Sequence, residues 1–296
     1  MLKEEFIIKT YCLVDDTMKK VTNNIRIRRR GPSPALSDSE VVTMEIVGEF
    51  CGIDTDEGIH QYFKSHWTHF FPKIGDRTAF ARQSANLWHV KQIMRNAFLK
   101  VLAPFKVGIK AIDSFPMPVC NFRRAGFAKI FKGNAAHGFC ASKNMNFYGF
   151  RNHVVVDISG IIEDCSVAPA NIDERELISD MEKAARGVLL GDRGYICKEY
   201  RKEELEKNGV LLLTPLRDNM KDDRPRRFVN RINNMRRIIE TVFSQMSERL
   251  NAEKIRARDI WHLTVRIGRK ILAHTLACVM NMLLGNPILQ FERILT

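Results

Sequence analysis

The sequence predicts an α/β protein: a mixed five-stranded sheet flanked by helices, preceded by an all-α N-terminal domain. Three observations lead there. No strand pattern precedes Lys106, and the residues before it repeat apolar positions at helical spacing. Beyond Pro104 the period changes, and short apolar runs alternate with helical patterns, as in a sheet with covering helices. The length of 296 residues leaves room for about two domains. The expected division is 1–103, a helical domain, and 104–296, a catalytic domain.

Leu2 to Val21 has the spacing of an opening helix, followed by the basic run Arg26, Arg28, Arg29 and Arg30 and the breaker Gly31-Pro32-Ser33-Pro34. A second helix starts at Ser37-Asp38-Ser39-Glu40. There the Ser37 hydroxyl can take a free backbone N–H while Glu40 reaches back as a capping box, and Val41, Met44, Ile46 and Val47 follow as the apolar side. Asp56 to Phe63 reads as a short helix. Arg77 to Val101 reads as one long helix with Phe80, Leu87, Val90, Ile93, Met94, Phe98 and Val101 inward. In the second part Val107–Ile112 is a strand, and Gly149–Ile158 and Ile161–Ala168 form a hairpin about Ser159-Gly160. A helix over Glu174–Ala185, a strand at Val188–Leu190, a helix over Lys198–Lys207 and a strand at Val210–Thr214 complete the alternation. After the polar segment Arg217–Asn230, expected as a loop, Arg231–Leu250 is an amphipathic helix whose buried side is Ile232, Met235, Ile239, Val242 and Met246.

Charge narrows the partners. The formal net charge is +13 and the isoelectric point near 9.5, which favours a polyanion, because each phosphate neutralised by Lys or Arg releases a counterion. Between Arg217 and Lys270 fifteen Lys and Arg face seven Asp and Glu, so this stretch carries eight of the thirteen excess charges. A solvated helical face and a nucleic-acid footprint both account for such a run. The seven cysteines show no CxxC pairing, which argues against a disulfide framework or a zinc site, and His66 and His69 lack the partners a zinc ion needs. Ile271–Leu284 is apolar but too short to span a bilayer, and the N-terminus carries acids where a signal peptide needs positive charge. A cytoplasmic, nucleoid-associated protein is expected.

Three carboxylates carry the chemistry. Asp113 and Asp192 each follow an apolar strand, and ligand sites of open α/β sheets form at strand C-termini. Glu240 borders the apolar stripe of the amphipathic helix and can face the sheet edge. Converging carboxylates hold two Mg²⁺ ions about 3.5–4 Å apart for in-line attack on a phosphodiester. Taken singly, each acid has a structural explanation, such as an i,i+4 pair between Arg236 and Glu240.

The local sequences add a resemblance. Ile112-Asp113-Ser114-Phe115-Pro116, Gly191-Asp192-Arg193-Gly194-Tyr195 and Arg236-x-x-Ile239-Glu240-x-x-Phe243 resemble the three acid motifs of DDE transposases of bacterial insertion sequences. Leu36 to Glu40, Arg77-Thr78-x-Phe80-x-Arg82-Gln83 and Glu240 to Gln245 are similar in particular to the insertion-sequence family numbered nine-eight-two. This resemblance implies an RNase H-like catalytic domain, with Asp113, Asp192 and Glu240 as catalytic residues and ligands of two Mg²⁺ ions, for which Mn²⁺ can substitute. It also implies 3′-end cleavage at the terminal inverted repeats of double-stranded DNA and strand transfer into target DNA, without a covalent protein–DNA intermediate. Holding two ends together requires at least a dimer. Alternatives are a nuclease of the same fold that does not join strands, and a non-catalytic DNA-binding descendant, against which the three intact acids count.

DNA contacts are expected from the arm Arg26, Arg28, Arg29 and Arg30, with the Ser37–Cys51 helix in a helix-turn-helix-like reader, and from Lys143, Arg151, Arg193, Arg236 and Arg237 around the acids. The Tyr and Lys that related enzymes often carry on the glutamate helix are Asn233 and Ser247 here, so their contacts do not transfer. Asn171-x-Asp173-Glu174-Arg175-Glu176-Leu177 also has counterparts in these enzymes, but is read as a helix cap with acids favourable to the dipole.

Overall fold

The computed structural model describes residues 1–23, 27, 33–217 and 219–295; the expected arm Arg26, Arg28, Arg29 and Arg30 lies outside the described residues. In chain order it contains α1 (Lys3–Thr22), α2 (Asp38–Phe50), α3 (Asp56–His66), α4 (Arg77–Asn86), α5 (Trp88–Val101), β1 (Ile109–Pro118), β2 (Ala136–Cys140), β3 (Met145–Asp157), β4 (Ile162–Pro169), α6 (Leu177–Asp180), α7 (Glu182–Ala185), β5 (Gly187–Leu190), α8 (Glu199–Lys207), β6 (Val210–Leu213), α9 (Arg226–Ser244) and α10 (Ile260–Leu283). Two compact units form, Met1–Ala103 with Met246–Thr296, and Pro104–Gln245. The second unit begins where the sequence changes period but ends before α10. The segment expected to close the catalytic domain groups with the N-terminal helices instead. No helix among the described residues is long and apolar enough to cross a membrane.

In the helical unit, α2 starts with the capping box: Glu40 N–H donates to Ser37 Oγ at 3.1 Å and Ser37 N–H to Glu40 Oε2 at 2.6 Å. Eleven of its thirteen residues are buried, so α2 is the centre of the unit and has no face to lay in a DNA groove. The helix expected over Ser37–Cys51 is thus present as the buried helix of this unit. Two acids buried on it are met by cations from α5 and α10. Glu45 accepts two bonds from Lys91 Nζ at 2.9 Å and lies 3.4 Å from Arg269 Nη1, while Glu49 pairs with Arg269 Nε and Lys270 Nζ at 2.6 Å each. Arg269 also reaches Asp56 at 2.6 Å. Burial works against the Arg269 charge, yet Glu49, Glu45 and Asp56 more than offset it and raise the guanidinium pKa; for Lys91 and Lys270 burial wins and lowers it.

The single helix expected over Arg77–Val101 is two. At Leu87 the backbone turns to φ −84° and ψ 5°, its N–H shared between Gln83 O and Ser84 O at 3.2 Å each. Lys91 then bonds Ser84 O at 3.0 Å as well as Glu45, a pairing no local spacing signals. Ile93 and Val101, expected inward, are exposed.

In the sheet unit the strand order is β2-β3-β1-β5-β6, with β4 also on β3. β2 pairs with Met145–Gly149 and β4 with Phe150–Val156, while β1 covers Gly149–Asp157 on the other edge. Thus β2 and β4 lie end to end, and six strands occupy five sheet positions. β1 is antiparallel to β3 and parallel to β5, and β6 is parallel to β5, the mixed topology expected. The extra strand β2 is short and interrupted by glycine, which hid it. Ser159-Gly160 forms the hairpin turn, Gly160 at φ 92° where a side chain would be strained. Asp157 is buried and accepts N–H groups of Val107, Gly108 and Ser159. One sheet face packs Ile112, Val155 and Leu189 against Ile178, Met181, Ala185 and Leu205. The helix expected over Glu174–Ala185 is only the short pieces α6 and α7, and α9 begins at Arg226, inside the expected loop.

Two predictions concern the helical unit. All three tryptophans (Trp67, Trp88 and Trp261) lie in it, so their fluorescence reports its unfolding. Arg269→Met removes one partner from each of Glu45, Glu49 and Asp56, leaving them Lys91, Lys270 and Arg266, and should cost about 3–5 kcal/mol in a denaturant titration read that way. His274 is buried, and burial together with the Arg95 charge pushes its pKa down to about 3. The unfolded ring titrates near 6.5, so acid protonates the unfolded chain first. Stability should fall from pH 6.5 towards 3 by up to about 1.4 kcal/mol per pH unit, with a shallower slope in His274→Leu.

Candidate active site

β1 and β5 run parallel with Ile109 opposite Val188, Lys110 opposite Leu189 and Ala111 opposite Leu190. Just past the last of these pairs, Asp113 in β1 and Asp192 beyond β5 lie near enough for the Asp192 charge to act on Asp113. Asp113 is not at a strand end as expected, because β1 runs on along β3 to Pro118. Asp192 stands in extended backbone just beyond β5, where its Oδ1 accepts the Gly194 N–H at 2.7 Å and caps the 3-10 turn Arg193–Tyr195. Burial and the Asp192 charge push the Asp113 carboxyl up to about 7, while the Ser114 N–H at 2.7 Å and Arg236 at 3.5 Å pull it back. Beneath them Tyr195 is fully buried with its hydroxyl 3.5 Å from His153 Nδ1. Burial, then Glu174, Asp113 and Asp192, raise the tyrosine pKa, and burial holds His153 down near 4, so it stays neutral.

The third expected acid is on α9. Arg236, Glu240 and Phe243 stand at i, i+4 and i+7, along one side of the helix. Arg236 reaches Asp113, and Phe243 meets Phe115 edge-on at 5.1 Å between ring centres, so that side of α9 borders β1. Glu240 lies between them in sequence but is exposed. Among the described residues no three His, Cys, Asp or Glu side chains stand close enough to share a metal ion. The structure thus brings Asp113 and Asp192 together and leaves Glu240 outside. Two carboxylates drawn partly out of water, with one guanidinium 3.5 Å away whose Nε is itself buried without a partner, are a donor set that fits a hard divalent cation.

Another acid stands closer to the pair. Glu174 was expected to cap a helix, but the helix begins later, at Leu177. Its Oε1 accepts Ser114 Oγ at 2.9 Å and Arg151 Nη1 at 2.6 Å, and Arg151 Nη2 donates to Phe139 O at 2.5 Å. Glu174 reaches Ser114, the neighbour of Asp113, and its charge adds to the rise at Asp113. A side chain at Gly194 would put a Cβ 2.9 Å from Asp192 Oδ1 and 3.0 Å from Glu174 Oε2, so glycine is what lets the two carboxylates approach that turn. The signal was the acidic segment Asp173-Glu174; Asp173 instead pairs with Arg175.

A family model described as the transposase DDE domain matches residues 105–260, just over half of the chain. The chain belongs to the DDE transposase family. No curated protein and no solved structure gives a significant match.

Of the expected DNA contacts in the transposase, Arg236 and Arg151 border the acids, one through Asp113 and the other through Glu174. Lys143 is exposed in the turn between β2 and β3, Arg193 is exposed next to Asp192, and Arg237 is exposed on the side of α9 away from its buried stripe. Gly194→Ala should push Asp192 and Glu174 apart. An unchanged circular dichroism spectrum with metal-dependent DNA cleavage slowed by about 10²-fold is expected, measured on labelled duplex.

Proposed function

We propose that this transposase carries out metal-dependent 3′-end cleavage and strand transfer of an insertion sequence of the type numbered nine-eight-two. The closeness of Asp113 in β1 to Asp192 just beyond the parallel strand β5, within the family's DDE domain, supports the reading. The substrates are double-stranded terminal inverted repeats and target DNA, held by at least two copies of the chain, in the bacterial cytoplasm. Asp113, Asp192 and Glu240 would hold the metal, with Mg²⁺ the expected ion and Mn²⁺ a substitute. Divalent ions bound there would supply activation of the attacking oxygen and neutralise charge on the leaving oxygen.

The chain's own groups do the rest. Asp113 and Asp192 present acceptor oxygens side by side, and the Gly194 and Ser114 N–H groups fix one oxygen of each. Arg236, released from Asp113 once that charge is otherwise met, has a fork suited to a phosphate beside the acids. Glu240, exposed one helical turn from Arg236, completes the set by moving towards the pair when DNA closes on the site. Arg151, clamped by Glu174 and Phe139 O, supports the strand on the other flank.

Asp113→Asn, Asp192→Asn and Glu240→Gln should each lower cleavage of element-end DNA by on the order of 10⁴-fold with DNA affinity within a few-fold of wild type. Full cleavage by any one variant removes that residue from the site. Products in which the cleaved 3′ end is joined to a second duplex would establish strand transfer, and cleavage without joining would leave a nuclease.

A further inference from the structure

The helical unit presents a surface that the reaction at the acids does not use. α4 and the start of α10 enclose a cavity of about 290 Å³ lined by Thr78, Arg82, Asn86, His262, Arg266 and Arg269, among others. Trp88, two residues after the lining residue Asn86, and Trp261, the chain neighbour of His262, meet edge-on at 5.4 Å while remaining 37% and 45% exposed. The third tryptophan, Trp67, has a buried indole N–H, so the exposed pair is not the habit of this chain's tryptophans. Arg82 is exposed on the cavity wall with no acidic partner among the described residues. Arg266 is anchored by Asp56 at 3.0 Å and by a bond to Arg256 O, which ties the exposed segment carrying Lys254, Arg256 and Arg258 to α10.

We propose that this cleft binds an unpaired nucleotide of the DNA end, its base against Trp88 and Trp261 and its phosphate towards Arg82 and the Arg256–Arg258 segment. The proposal rests on the DNA substrate read above. Exposed indoles offer every base a stacking face, and arginines beside them track the backbone, the pairing found where single strands are held without sequence preference. A duplex has its bases stacked inside and cannot use the indoles. A second copy of this chain would bring like charges together across the same surface, which disfavours it. With α2 buried, this surface supplies the exposed cations and aromatic faces that the centre of the unit lacks.

The test uses the full chain and three fluorescent probes: a blunt duplex, the same duplex with four unpaired thymidines at one 3′ end, and oligo(dT). Wild type should bind the frayed duplex more tightly than the blunt one, and oligo(dT) should quench its tryptophan fluorescence. Trp88→Ala and Trp261→Ala should weaken frayed-duplex binding about five- to hundredfold while changing blunt-duplex binding less than twofold. Trp261→Phe, which keeps a ring and guards against misfolding, should restore most of the loss. Arg82→Ala should weaken all three probes and lower the salt slope by about one. Equal wild-type affinity for blunt and frayed duplex, or tryptophan variants that bind the frayed probe as wild type does, would overturn the proposal. So would loss of a wild-type dimer in Trp261→Ala with DNA affinity unchanged, which would give the surface to a second copy. Wild type that binds none of the probes would sink the DNA reading as a whole, whereas neutral tryptophan variants that still cleave DNA would remove this inference alone.

Discussion

The parallel register of β1 on β5 is the constraint on which the site depends. It brings Asp113, inside β1, and Asp192, just beyond the end of β5, near enough for one charge to act on the other. Slip β5 by one residue and Asp192 turns to the opposite face, because side chains alternate along a strand. Like charges so placed raise each other's energy, and the fold answers with an arginine from α9 and N–H groups from Ser114 and Gly194. The cost is carried by a sheet buried on both sides, where Ile112 and Leu189 lock the register against α6, α7 and α8.

The class of fold was legible in the sequence, and so, for related reasons, were the two strands that bring Asp113 and Asp192 near each other. Val107–Ile112 and Val188–Leu190 are apolar enough to mark buried parallel strands, and the acids that break each run mark where the runs meet solvent. The length of β1 was not legible. Pro116 and Pro118 argue against a strand, yet both are tolerated because β5 stops at Leu190 and leaves that end of β1 paired only with β3. Glu174 was missed for the opposite reason. Its neighbours fit a helix start, and only the tertiary approach of Ser114 and Arg151 recruits it. The grouping of α10 with the N-terminal helices was equally hidden, since its decisive contacts, Arg269 and Lys270 to Glu49, span more than two hundred residues.

That buried ion network shows what kind of specificity α2 needs. Its apolar residues could pack against many helix faces, but Glu45 and Glu49 accept only an arrangement that delivers Lys91, Arg269 and Lys270 together. A hydrophobic replacement of the whole cluster can match or exceed its stability, so net stability does not explain it. Register does: the paired charges fix which turn of α10 lies against which turn of α2, much as a buried polar residue fixes register in a coiled coil.

The two arginines beside the acids share a logic. Arg236 approaches from α9 on one face of the sheet, while Arg151, opposite Pro116 on β3, is held from the other by Glu174. Each guanidinium is oriented by a carboxylate, Arg236 by Asp113 and Arg151 by Glu174, so neither charge is left without an acidic partner. The same pairing makes the acids and arginines interdependent. A cation that took over Asp113 would leave Arg236 with an unmet fork, for which a phosphodiester is a natural counter-charge. On the function proposed, metal and DNA would favour one another through a side chain that need shift only one partner, and the exposed Glu240 lies one turn along the same helix.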